Sequence, residues 1–153
     1  MANIVFNIAK GRAAELYNRV ENSDPANSAI VIIPIEAAGL EADAVLIDKD
    51  TLADVLSGTT NEQSTMGRKV LTDADLAAIP APDDTNDRSE RSLPTVTWTA
   101  ASGNAIAKLL ICYDPDTTAG TDADIVPLTM FDFAQTPSGA DIQMTTGAFF
   151  RAT

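Results

Sequence analysis

Ala29-Ile-Val-Ile-Ile-Pro-Ile35 is a continuous apolar, mostly β-branched run, and Ala105-Ile-Ala-Lys-Leu-Leu-Ile-Cys-Tyr113 is a second apolar stretch centred on Leu109-Leu-Ile111. β-Branched side chains are stiff at χ1 and pack well on a pleated surface. Each run is short and bounded by turn chemistry: Asn22-Ser-Asp-Pro-Ala-Asn27 precedes the first, and Asp114-Pro-Asp-Thr-Thr-Ala-Gly-Thr-Asp-Ala-Asp124 follows the second. Both therefore predict buried strands. Pro34 falls inside the first, and Pro127 inside a third run at residues 125–133. Proline cannot donate to a ladder, so each is expected at a sheet edge, a strand end or a bulge.

Working outward, residues 3–9 predict a short strand with Ile4, Phe6 and Ile8 on one face, broken by Gly11. Residues 13–20 fit two periods. Ala13, Leu16, Tyr17 and Val20 match a helix, while Ala14, Leu16 and Val20 match one face of a strand. Strand, turn, strand is the simpler reading, which favours a hairpin into residues 29–35. Residues 50–56 form the clearest helix, with Asp50 as cap, Gly58 as stop, and Leu52, Val55 and Leu56 inward. Residues 68–72 predict a short strand and Asp73-Ala-Asp-Leu76 a turn or helical cap. The most polar stretch, residues 80–94, predicts an exposed loop or extended excursion. Strands are expected at residues 95–99, which hold Trp98, and at 140–145, with a compact apolar tail from Gly147. The sum is a mainly-β single domain over residues 1–153, a β-sandwich or barrel-like fold with one short helix.

Composition narrows the chemistry. The 153 residues carry 22 acidic and 10 basic side chains, no histidine and one cysteine. Without histidine the usual routes to general acid–base catalysis, nucleophile activation and zinc binding are missing. Cys112 lies in the apolar 105–113 run, where a thiol packs as a small hydrophobe. A lone cysteine forms no internal disulfide, which fits synthesis in a reducing cytoplasm. The acidic excess is concentrated at residues 41–90, net −8, against −1 for residues 1–40 and −3 for 91–153. A net charge of −12 repels phosphates, so direct nucleic acid binding is not expected. No apolar run reaches the roughly 20 residues of a membrane span, and the first residues lack the basic and long apolar regions of a signal peptide.

Candidate sites are few. The Asp114–Asp124 stretch could offer oxygens to calcium. Gly120 and Ile125 sit wrongly for the helical calcium loop, and a solvated turn explains the stretch more simply. Asp83, Asp84 and Asp87 have Arg88 and Arg91 as neighbours for local ion pairing, and Asp48, Asp50 and Asp54 suit a helix start. No phosphate loop, dinucleotide glycine pattern, serine elbow or Cys-x-x-Cys occurs. Catalytic residues, cofactors and metal ligands are therefore assigned to none.

Several strings stand out as a set: Ile8-Ala-Lys-Gly-Arg12, Asp24-Pro-Ala-Asn-Ser28, Thr97-Trp-Thr-Ala100, Ala107-Lys-Leu-Leu-Ile-Cys-Tyr-Asp-Pro-Asp116, Gly120-Thr-Asp-Ala-Asp-Ile-Val-Pro-Leu-Thr129 and Gly147-Ala-Phe-Phe-Arg151. Together they span nearly the whole chain, and with them the chain resembles a group of small acidic proteins encoded among the virion-structural genes of tailed bacteriophages. One departure is Met130, where a histidine is expected before Phe131-Asp-Phe133. The resemblance implies a non-enzymatic virion component, a capsid decoration or cement protein on the phage head. Its partners would be the major capsid protein or other virion proteins, and further copies of itself in a homo-oligomer. A neck, tail or baseplate protein, or a receptor- or carbohydrate-binding β module, is the alternative. The contact residues expected in such an assembly lie near the ends of the chain: Ile4, Phe6, Ile8, Lys10 and Arg12, with Phe149, Phe150 and Arg151. They combine apolar and aromatic anchors with a basic fringe that an acidic neighbour would complement.

Overall fold

A computed structural model describes residues 3–152. In chain order the elements are β1 (Ile4–Val5), α1 (Ala13–Glu21), β2 (Ala29–Glu36), α2 (Asp43–Leu46), α3 (Leu52–Val55), β3 (Lys69–Leu71), β4 (Ser89–Leu93), β5 (Val96–Trp98), β6 (Ile106–Asp114), β7 (Val126–Gln135), β8 (Ile142–Met144) and β9 (Gly147–Ala152). The fold is mainly β, as expected. Its centre is an open, five-stranded antiparallel sheet in the order β1-β7-β6-β2-β3. Two antiparallel ribbons, β4-β9 and β5-β8, accompany it. The two apolar runs that decide the fold are neighbours at the middle of the sheet, with Val31 opposite Cys112 and Ile33 opposite Leu110.

Side chains alternate across a strand, so β6 feeds two layers. Leu109 faces the ribbons, where it shares a groove with Leu93 and Phe149. Lys108 and Leu110 point to the other face, where Asp43 of α2 meets Lys108. The ribbons and α1 thus take the place of a complete second sheet. Leu93, Val96, Trp98, Ile142 and Phe149 join the same apolar cluster as Ile32, Leu110 and Val55.

The hairpin reading of residues 13–20 is corrected: this segment is the helix α1. Ala13, Leu16, Tyr17 and Val20 are all buried, the i, i+3, i+4, i+7 stripe of a helix against a core. Tyr17 decides between the periods. Its ring lies 5.8 Å from that of Phe149, and its hydroxyl reaches Ala77 O and Ser92 O. No local signal near residue 17 announces those distant partners.

The expectation of one helix is also corrected, since the described residues form three α-helices. The predicted one is α3, but Thr51 rather than Asp50 caps it, its Oγ1 accepting from Asp54 N at 3.0 Å. Leu56 ends it before Gly58. The N-terminal strand is shorter than predicted: after Val5 the chain turns through a 3-10 helix at Asn7–Ala9, with Phe6 N still donating to Leu128 O. Within residues 80–94 the last part is not loop but β4, with Arg91 and Leu93 buried against β9. The C-terminal tail is itself a strand.

Neither proline lies in a stretch paired regularly on both sides. Pro127 is opposite Cys112, and the β6–β7 register slips between Ile111 and Cys112. Pairing of β2 with β6 runs through Pro34, but on its other side the β3 ladder has ended at Ile32. There Pro34 O accepts from Gln63 N, and an isolated bridge joins Ile35 to Glu62.

Candidate interaction surface

The described segments near both termini are tied into their own domain. Ile4 pairs with Met130 at the sheet edge, and Ile4, Phe6 and Phe149 are buried in the chain's own core. Ile8 and Phe150 are half-buried, while Lys10, Arg12 and Arg151 are exposed. Arg151 is paired with Glu90 directly across the β4–β9 ribbon, and Lys10 Nζ donates to Asn7 Oδ1 at 2.6 Å. Burial accounts for Ile4, Phe6 and Phe149 without a neighbour. It leaves Ile8, Lys10, Arg12, Phe150 and Arg151 as the residues of the expected set that reach the surface.

Beside the C-terminal strand the structure forms an apolar groove of about 140 Å³. Leu93, Leu109, Phe131, Phe133, Met144 and Phe149 line it, of which Phe131, Phe133 and Met144 are half-exposed. Phe131 and Phe133 share one face of β7 because they are two residues apart, and Asp132 between them points to the other. The string Phe131-Asp-Phe133 carries that alternation, but only the β9 and β8 strands make it the wall of a groove.

The acidic stretches serve turns. Asp114 Oδ1 accepts from Asp116 N at 2.9 Å, Asp116 Oδ1 from Thr118 N at 3.0 Å and Asp124 Oδ2 from Thr121 N at 2.9 Å. Hydrogen bonds from Thr118 hold the Asp116 carboxyl below the usual carboxylate range, and those from Thr121 do the same for Asp124. Asp83 plays the same part for Asn86, whose side chain holds its carboxyl low, and pairs with Arg88 at 3.1 Å. Among the described residues no group of three or more His, Cys, Asp or Glu side chains is placed to hold a metal ion.

Two ionic clusters are better built than any loop. Arg68 reaches both oxygens of Glu62 and both of Asp122, with its shortest contacts at 2.6 and 2.7 Å. Their charge and hydrogen bonds raise its already high pKa. Lys108 lies in the central strand with no exposed side-chain surface, its Nζ 2.9 Å from Asp43 Oδ1 and 3.0 Å from Asp132 Oδ1. Burial disfavours the ammonium charge, but the two carboxylates outweigh it and raise the pKa. Neither composition nor motif spacing points to these clusters, because Asp122 is 54 residues from Arg68 and both partners of Lys108 lie on other elements. The Cys112 thiol is fully buried, and burial pushes its pKa up, so it is held as the unreactive thiol.

No protein-family model, no characterised protein and no solved structure matches this chain. Among the described residues no helix is long and apolar enough to cross a membrane.

Proposed function

We propose that the chain is a non-enzymatic structural component of a tailed-bacteriophage particle, most specifically a decoration or cement protein on the capsid shell. The observation that carries an interaction role is the groove between β7 and the C-terminal ribbon, which presents half-exposed Phe131, Phe133 and Met144 together. Grouped aromatic and methionine side chains beside an apolar floor are what interface anchors use. The net charge of −12 favours a partner whose contact surface is basic. The resemblance of the six strings to virion-structural proteins narrows the partner to the major capsid protein, with further copies of the chain as neighbours. Residues surrounding the ionic clusters serve the fold in this reading and touch no substrate.

The test is the ratio of this chain to the major capsid protein in purified particles. A ratio on the scale of the capsid subunits supports decoration, and a few copies per particle assigns the chain to the neck, tail or baseplate instead. Absence from particles combined with a signal on a glycan array overturns the virion reading in favour of a carbohydrate-binding module. In the decoration case, Phe133→Asp is expected to abolish particle binding while leaving the circular dichroism spectrum unchanged.

A further inference from the structure

A lysine in the middle of the most apolar strand is costly unless its charge is matched. Lys108 is held there between two carboxylates from different elements. Asp132 is its direct partner across the β6–β7 ladder, and Asp43 opens α2. Side-chain exposure is 0% for Lys108, 25% for Asp43 and 37% for Asp132. Nζ of Lys108 and Oδ1 of Asp43 are both sealed from solvent, and although 2.9 Å apart they do not meet in hydrogen-bonding alignment. An amine and a carboxyl group are thus held together without water between them, beside a second carboxylate.

We propose that Lys108 and Asp43 are the partners of an intramolecular isopeptide bond, with Asp132 as the group that moves the proton. The two carboxylates favour the charged pair, so the reacting form is its small neutral fraction, in which a proton has passed from the Lys108 ammonium to the Asp43 carboxylate to leave a neutral amine and a neutral acid. The amine nitrogen attacks Asp43 Cγ and forms the new N–C bond. Asp132 takes the surplus proton from nitrogen and delivers it to a hydroxyl on Cγ. The C–O bond then breaks and one water leaves. Ammonium plus carboxylate become amide plus water, and no oxidant or other reactant is needed. Fixed contact replaces a bimolecular encounter, and the dry side of the site favours loss of water. Asp43 is assigned as the acceptor because its Oδ1 is the sealed oxygen. Asp132 is the base because it is the more exposed carboxylate and Lys108 holds its carboxyl below the usual range, so it stays ionised. The product would staple α2 to the centre of the sheet. This inference stands apart from the proposed function and does not need it.

Intact-mass spectrometry of the purified full chain tests it. The expected mass is about 18 Da below that of the sequence, the loss of one water on covalent modification. Proteolysis should yield one branched fragment joining the peptide with Asp43 to that with Lys108. Lys108→Arg and Asp43→Ala are expected at their full sequence masses, and Asp132→Ala should form the link roughly 100-fold more slowly, the usual share of a positioned proton-transfer group. A wild-type chain at full mass after prolonged incubation overturns the proposal and leaves an ordinary ion pair. So does a deficit confined to one linear peptide, as a cyclised aspartate gives, or a branch ending at Asp132. These outcomes are read on the wild-type chain and hold even if a variant fails to fold.

Discussion

Replacing Tyr17 first by phenylalanine and then by alanine separates two contributions of one side chain that ties α1 to the ribbons. Tyr17 is 1% exposed, and its hydroxyl lies 3.2 Å from Ala77 O and 3.1 Å from Ser92 O. A single hydroxyl proton serves one carbonyl at a time. Tyr17→Phe removes that bond and keeps the ring, at a cost of about 1 kcal/mol. Tyr17→Ala also removes the ring and its tilted contact with Phe149, and truncation of a buried aromatic side chain costs roughly 3–5 kcal/mol. For a chain of 153 residues each kcal/mol moves Tm by roughly 2–4 °C. The expected losses are therefore about 3 °C for phenylalanine and about 12 °C for alanine. Urea unfolding gives the free energies, followed by the fluorescence of Trp98, the single tryptophan, which is buried with its Nε1 donating to Gly67 O at 3.0 Å. The m-value should not change, because the surface exposed on unfolding is nearly the same. A cost below about 1 kcal/mol for Tyr17→Ala would refute the reasoning, since a tyrosine on the solvent side of a strand would lose no more than that.

Three further outcomes are expected. Native Cys112 should resist a thiol reagent at neutral pH and label quickly once urea unfolds the chain; labelling of the folded protein at the unfolded rate contradicts its burial. Gly39→Ala should lower Tm more than Gly139→Ala. Both glycines have positive φ, at +79° and +87°, but a Cβ at residue 39 would run into Thr59 O while residue 139 has open space; equal Tm losses would contradict that geometry. Stability should be greatest between about pH 5 and pH 8. Hydrogen bonds hold the carboxyls of Asp83, Asp116, Asp124 and Asp132 low, so below about pH 4 the unfolded chain binds more protons and stability is lost as pH falls. Burial raises the Cys112 thiol and the Tyr17 and Tyr113 hydroxyls, so the unfolded chain releases protons first, from about pH 8.5 at the cysteine and about pH 10 at the tyrosines, and stability is lost as pH rises. Urea midpoints measured across the range check both arms, and a midpoint that climbs on acidification from pH 5 to pH 3 contradicts the first.

The sequence by itself determined the centre of the fold. Ala29–Glu36 and Ile106–Asp114 are strands because they are runs of apolar, often β-branched residues bounded by Asp, Asn, Pro and Gly, and such runs leave little choice but a buried sheet. The burial of Cys112 and the broken pairing beside Pro127 follow from the same local chemistry. Tertiary structure decided everything that depends on a distant partner. Residues 13–20 fit either period until Ala77, Ser92 and Phe149 give Tyr17 a place to go, and only the helix puts it there. Ile4, Phe6 and Phe149 carry the composition of interface anchors, yet β7 and the β4–β9 ribbon give them a core of their own. Phe131 and Phe133 read as ordinary strand residues until β8 and β9 turn them into the wall of a groove. Lys108 reads as one charge in an apolar run until the β6–β7 register and α2 bring two carboxylates to its nitrogen. Periodicity is a property of neighbours in sequence, whereas charge pairing and grooves are properties of neighbours in space.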